Sequence, residues 1–160
     1  MRRLGALAAL SGALVVAAPL TAGAAAANPA TDVCEPMVRN AVEASLGSPL
    51  PGPQVGGWAG HTYTCTYPLA GGPLVLRVDD LATKGTAKAA YRHRAAAAPR
   101  RTRLNGLGSA AYQRRDGTLV AVKDQFLLTI DPTATRGSVA PSDLAFAAAV
   151  AVQDCWTGGS

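Results

Sequence analysis

Three cysteines, Cys34, Cys65 and Cys155, constrain this chain more than any other feature. One cross-link would fix which elements lie side by side, and an odd count leaves one thiol over. Cys65 stands in His61-Thr62-Tyr63-Thr64-Cys65-Thr66-Tyr67-Pro68, where Tyr63, Cys65, Tyr67 and then Leu69 alternate with Thr62, Thr64 and Thr66. Strict alternation is the pattern of a strand with one buried face, and it puts Cys65 on the buried side. Cys34 lies just before a predicted helix, so joining it to Cys65 across a loop of about 31 residues asks for the least rearrangement. Cys34–Cys65 is the expected disulfide, with Cys34–Cys155 and Cys65–Cys155 as the alternatives. Cys155, on the apolar face of the last predicted helix, is then a buried thiol or an intermolecular bridge.

A structural disulfide belongs to an oxidising compartment, and the start of the chain supplies such an address. Arg2 and Arg3 precede an apolar run from Leu4 to Leu20, followed by "TAGAAAANPA". Charged, apolar and small-residue segments in that order read as a signal peptide, residues 1–27, with several cleavage registers over Ala24–Ala27 and the one after Ala27 preferred. The run is short for a bilayer and carries Gly5, Gly12 and Pro19, so no membrane span is expected after cleavage. Cys34, in "TDVCEP", lacks the small, apolar neighbours of a lipid-attachment site. Residues 28–160 are read as a single secreted α+β domain, extracellular or cell-wall associated, of about 133 residues. The mature part keeps 13 of the 15 Lys and Arg and all 10 acids, so its net charge is about +3 rather than the +5 of the whole chain. Only His61 and His93 offer imidazole ligands, so no metal site and no cofactor are expected.

Along the mature part, Pro36 suits the first turn of a helix, Val38, Ala41, Val42 and Ser45 recur at helical spacing, and Gly47 stops it. This predicts a helix over about 36–46. "GSPLPGPQVGGWAG" reads as a long loop, with Trp58 either plugging the core or touching a ligand. The Cys65 strand and Leu74, Leu76, Val78 form a hairpin across "PLAGGP". "ATKGTAKAAYRHRAAAA" reads as a second helix, with Ala87, Tyr91 and Ala95 on one face and Lys84, Lys88 and Arg92 at four-residue steps on another. A meander follows, with Asp116-Gly117 as a two-residue turn and a tight turn at Lys123-Asp124-Gln125 before Phe126, Leu128 and Ile130. Pro141, Ser142 and Asp143 open a last helix through Leu144, Ala148, Ala151, Val152 and Cys155. The order α-ββ-α-βββ-α predicts an α+β two-layer sandwich, an antiparallel sheet with helices on one face and the Thr-rich face wetter. The two halves share a helix-then-meander logic.

"DVCEPMVRNAVEASLG", "TYTCTYP" and "LNGLGSAAYQRRDGTLVAVKDQFLLTID" before an Ala-rich final helix resemble a group of secreted or lipid-anchored actinobacterial envelope domains of unassigned function. That group is similar in layout to the extracellular sensor domains of some actinobacterial serine/threonine kinases. The resemblance covers residues 32–156. Its members often have an acidic residue after "GLG" where Ser109 stands, and many carry a lipid-attachment cysteine that is missing here. It implies a fold and an envelope address, not a reaction.

No catalytic residues are expected. The serines lie in no G-x-S-x-G setting, neither histidine has a partner motif, and Asp79 and Asp80 point to opposite strand faces. "GLGSAA" matches a loose dinucleotide fingerprint but precedes a strand and a hairpin, the wrong context. Charge is the uneven feature: nine basic residues and no acid lie between Lys84 and Arg115. Lys84, Lys88, Arg92, Arg100, Arg101, Arg103 and Trp58 are the candidate ligand contacts, with the three arginines from 100 to 103 in the loop leaving the second helix. The leading expectation is a non-enzymatic exported domain binding an anionic envelope component or a protein partner. The alternative is a secreted protein-interaction or inhibitor module using the Thr-rich face and Trp58, and the third a small secreted hydrolase. Nucleic acid is not expected, because the protein is exported and its aromatics are not interleaved with the basic run.

Overall fold

The structure, a computed structural model, describes residues 28–157, and the expected signal peptide lies outside the described residues. A short 3-10 helix, Pro29–Cys34, leads into α1, Pro36–Leu46, where Gly47 takes φ 66° as the C-terminal stop. Strands β1 (Val55–Ala59), β2 (Thr62–Tyr67) and β3 (Leu74–Asp80) form a meander, followed by α2, Lys84–Ala96, capped by the Thr83 hydroxyl accepting from Thr86 N. A second meander, β4 (Arg101–Leu104), β5 (Ala110–Arg114), β6 (Leu119–Lys123) and β7 (Phe126–Asp131), precedes α3, Pro141–Trp156. All seven strands join one antiparallel sheet in the order β1-β2-β3-β7-β6-β5-β4. The α+β class, the antiparallel sheet and the helix-then-meander logic of both halves hold.

The strand alternation sorts the core into two clusters. Leu76, Val78, Leu119, Ala121, Leu128 and Ile130 point to the face covered by α1 and α3, where they meet Val38, Val42, Leu144 and Ala148. Tyr112, Val120, Val122 and Leu127 point the other way and meet Ala87 and Ala95 of α2. The helices therefore do not all lie on one face: α2 covers half of the opposite face, because β5, β6 and β7 are apolar on both sides. Thr62, Thr64 and Thr66 lie on the uncovered half of that second face and stay partly exposed.

Two segments read as loops are edge strands. "VGGWA" pairs with β2 from Val55↔Thr66 to Ala59↔Thr62, leaving Gly60, at φ 60°, and His61 as a two-residue turn. Glycine at the first of two turn positions is what a tight hairpin needs. Gly56 has no room for a side chain: a Cβ there would collide with the Tyr63 hydroxyl and the Cys34 Sγ. Arg101–Leu104 pairs with β5 in the same way at the opposite edge. The Asp116-Gly117 turn also differs from expectation. Only Gly117 has a positive φ, 89°, and Arg114 N donates to Thr118 O at 2.8 Å, so the loop has three residues with glycine at its left-handed position.

Cys34 and Cys65 form the disulfide, and Cys155 is a partly buried free thiol whose Sγ lies 3.7 Å from the Met37 sulfur. Burial, with Asp32 and Glu35 nearby, pushes the Cys155 thiol up. Side chains reinforce the cross-link: Tyr67 donates its hydroxyl to Val33 O at 2.6 Å, Gln54 Nε2 to Cys34 O at 3.0 Å and Trp156 Nε1 to Pro29 O at 2.7 Å. Burial holds the Tyr67 phenol well above its usual range, so it remains a donor.

Two outcomes follow. Non-reducing peptide mapping should recover Cys34 joined to Cys65 and Cys155 as an alkylatable single thiol, and Cys65→Ser should lower stability in urea by about 3 to 4 kcal/mol by loop-closure entropy. Tyr67→Phe should cost about 1 to 2 kcal/mol. Because the folded Tyr67 pKa is raised above the unfolded one, its contribution is full below about pH 10 and falls as pH rises further. Urea midpoints at pH 8 and pH 11 should therefore converge between the two proteins.

Candidate functional site

The nine basic residues of the 84–115 segment fold into distinct settings. Lys84 pairs with Asp124 at 3.4 Å, both exposed. Arg94 reaches under α2, donating to Asp79 Oδ2 at 2.6 Å and Thr129 Oγ1 at 2.7 Å, and so pins the helix to the sheet. Asp79 also accepts from the Thr62 hydroxyl at 2.7 Å, which gives this carboxylate a structural task. Arg114 pairs with Asp116 at 3.3 Å. Among the described residues, Lys88, Arg92, Arg100, Arg101, Arg103 and Arg115 make no ion pair.

Three of those six converge. A groove of about 590 Å³ runs between α2 and the β4–β5 edge, with Arg92 on the helix wall and Arg101 and Arg103 on the strand wall. The register explains the strand wall: Arg103 pairs with Tyr112 and Arg101 with Arg114, so both arginines project to the side where α2 lies. Tyr112, only 2% exposed, forms the floor with Ala95 and Ala110. The Arg101 guanidinium sits 5.9 Å from the Tyr112 ring centroid, and its Nη1 donates to Ala98 O at 2.9 Å, which holds it against the floor. Tyr91 packs against Tyr112 with ring centroids 5.5 Å apart.

Every polar side chain of the lining can donate. Burial raises both phenols, only partly offset by Arg103 and Arg101 at Tyr91 and by Arg94 at Tyr112, so the hydroxyls stay protonated. Guanidiniums have no acceptor, and no acid lines the groove. Such a recess can hold an anion by charge-assisted hydrogen bonds from two sides.

Of the expected contacts, the fold gathers Arg92, Arg101 and Arg103 in the groove and puts Arg100 in adjoining hollows with Arg114 and Arg115. Lys84 and Lys88 line none of these recesses, although they share a helix face with Arg92. Arg101 and Arg103 belong to an edge strand and not to a loop, so their spacing is fixed. Trp58 lies on β1 at the far edge, about 29 Å away by six interstrand spacings. It is 47% exposed and packs edge-on against Tyr63 at 5.2 Å, so it does not plug the core. Sequence reasoning missed Tyr91 and Tyr112, although Tyr91 adjoins Arg92 and Tyr112 stands two residues before Arg114. The fold thus interleaves aromatics with the basic run after all. Tyr112, however, is buried beneath Arg101, which takes its ring out of reach of a stacking base, while Tyr91 stays partly exposed. A separate hollow of about 210 Å³, among the loops that follow α1 and precede α3, is lined by Leu46, Leu50, Leu69, Val139 and Leu144 with Arg136 at hand, and carries no cluster of charged groups comparable to the groove.

The cross-strand Arg101↔Arg114 pair places like charges directly opposite, an arrangement that destabilises a sheet. Raising NaCl from 10 to 150 mM shortens the Debye length from about 30 to about 8 Å. The urea midpoint should therefore rise, by the equivalent of about 0.5 to 1 kcal/mol, and Arg101→Gln with Arg103→Gln should flatten that dependence. A midpoint that falls with salt in the parent would mean that attractive pairs dominate. In comparisons with known proteins, no family model, no curated protein and no solved structure matches this chain.

Proposed function

We propose that this protein is an exported, non-enzymatic binding domain of the cell envelope or extracellular space, and that its arginine groove holds an anionic envelope component. One observation carries the reading: Arg92 from α2 and Arg101 and Arg103 from β4 meet over a common floor without any acid among them. Three guanidiniums without an acidic partner on two elements repel one another, and a bound anion would relieve that repulsion. The Cys34–Cys65 disulfide supports an oxidising location, and no helix among the described residues is long and apolar enough to cross a membrane. The signal-peptide reading and the resemblance to actinobacterial envelope domains supply the address.

A second reading, a protein-interaction or inhibitor module, is favoured by the opposite edge. There β1 leaves Val55 68% and Trp58 47% exposed on a strand without charge. It would act through that edge and the uncovered threonines rather than through the groove.

The test is binding of the mature protein to isolated wall polymer and to anionic vesicles across a salt series. Binding should weaken steeply as the Debye length falls below about 10 Å. Arg92→Glu, Arg101→Glu and Arg103→Glu together should abolish it. The matched control, Lys84→Glu, Lys88→Glu and Arg136→Glu, makes the same charge change outside the groove and should retain most of it. Equal loss in both triple variants would reduce the effect to net charge. Loss on Trp58→Ala alone would transfer the site to the β1 edge.

A further inference from the structure

The groove does not end at Arg101. That residue also lines a neighbouring hollow of about 300 Å³ with Arg100, Arg114 and Arg115, and the last three continue into a third hollow of about 410 Å³ beside Ala97 and Pro99. The three recesses adjoin through these shared residues and form an interrupted, arginine-lined track from between α2 and β4 to the start of that strand, where Thr102 and Gln113 of the opposite sheet face also line it. Asp116, paired with Arg114, also lines the third hollow. The Cα atoms of Arg103 and Arg101, two residues apart on one strand face, are spaced by about 6.8 Å, a backbone spacing that β-structure fixes.

We infer that the track binds a linear phosphate-bearing polymer that lies along β4, with successive phosphates held by Arg103 with Arg92, then by Arg101, then by Arg100 with Arg115. This rests on the anion-binding reading above and names its ligand class. Three features of the track select it. A repeated series of guanidiniums along a strand suits a chain of anions, whereas a single small anion needs only the groove. Arg92 approaches from the helix wall and Arg103 from the strand wall, so one anion is met from two directions. A tetrahedral phosphate presents acceptors to both, while a carboxylate presents its two oxygens in one plane. Finally, the floor is recessed, with Tyr112 almost wholly buried, and the track bends around the strand start. A flexible chain can follow that course, and a flat bilayer cannot.

The experiment compares inorganic phosphate, tripolyphosphate, long-chain polyphosphate, polyglutamate of matched charge and phosphatidylglycerol vesicles by calorimetry on the mature protein at fixed salt. Affinity should rise more than about 100-fold from inorganic phosphate to long-chain polyphosphate through multivalent engagement, and polyglutamate should bind at least about tenfold more weakly than the polyphosphate. Arg100→Gln with Arg115→Gln lies outside the groove and should weaken long-chain binding, lowering its salt slope by roughly one to two, while leaving inorganic phosphate unchanged. The chain-length series needs no variant, so it decides the matter even where a substitution disturbs folding. Equal affinity for phosphate and polyphosphate would reduce the site to a single-anion pocket and overturn the polymer inference while sparing the anion-binding reading. Tighter binding to polyglutamate or to vesicles would likewise replace the ligand class. No binding to any of the five probes would remove both.

Discussion

Among the described residues, the antiparallel pairing of β3 with β7 is the one strand pairing between the two halves, and it sets the sheet on which α1 and α3 pack together. Its six residue pairs run from Val75↔Asp131 to Asp80↔Phe126 and join two meanders at their last strands. Both faces of the seam carry consequences. Leu76, Val78, Leu128 and Ile130 on one face build the main core under α1 and α3. Asp79 and Thr129 on the other face receive Arg94 and so fix where α2 lies. The position of Arg92 in the groove therefore depends on a carboxylate three strands away from β4's neighbour β5, and a slip of one residue in the seam would turn the anchoring groups to the wrong face.

The two edges of the sheet are finished by different means. At β1 the fold relies on close packing: Gly56 leaves room for the Cys34 sulfur and the Tyr63 hydroxyl, and the 3-10 helix is held by donors from Tyr67, Gln54 and Trp156 to its carbonyls. A short segment with little core of its own is ordered by one covalent bond and three hydrogen bonds. Trp156 belongs to the end of α3, so the same contacts join the first and last elements of the described fold. At β4 there is no comparable covering, and the edge is occupied by arginine side chains.

What the sequence revealed follows from where apolar alternation exists. β2, β3, β6 and β7 each bury at least one face, and their periodicity or apolar run was readable, as were α1 with Gly47 and the cysteine whose alternation put it on the buried face, within reach of Cys34. β1 is exposed at every position and β4 at three of its four, so neither carries a hydrophobic signal, and glycines needed for packing at Gly56 resembled loop glycines. The side of the sheet taken by α2 was hidden for a related reason: Leu119-Val120-Ala121-Val122 is apolar on both faces, and the run does not say which helix covers which side. For the candidate site, the charge run was legible but its grouping was not. A four-residue step aligned Lys84, Lys88 and Arg92 on one helix, whereas the partners of Arg92 come from a strand whose existence only the β4–β5 register reveals.

Charged residues on an edge strand also serve to prevent unwanted pairing between sheets, so the arginines of β4 need an explanation beyond edge protection. Protection asks for one or two exposed charges of either type, and lysine serves it best. This edge instead gathers Arg100, Arg101, Arg103, Arg114 and Arg115 without a lysine, sets Arg101 opposite Arg114, and adds Arg92 from another element. The opposite edge, β1, carries no charge at all while exposing Val55 and Trp58. A fold that places no charge on one edge and crowds guanidiniums around the other is not explained by a general need to block pairing. The proposed anion would complete the cluster, since the planar, five-donor guanidinium is the side chain whose geometry, and not only its charge, matches an oxyanion.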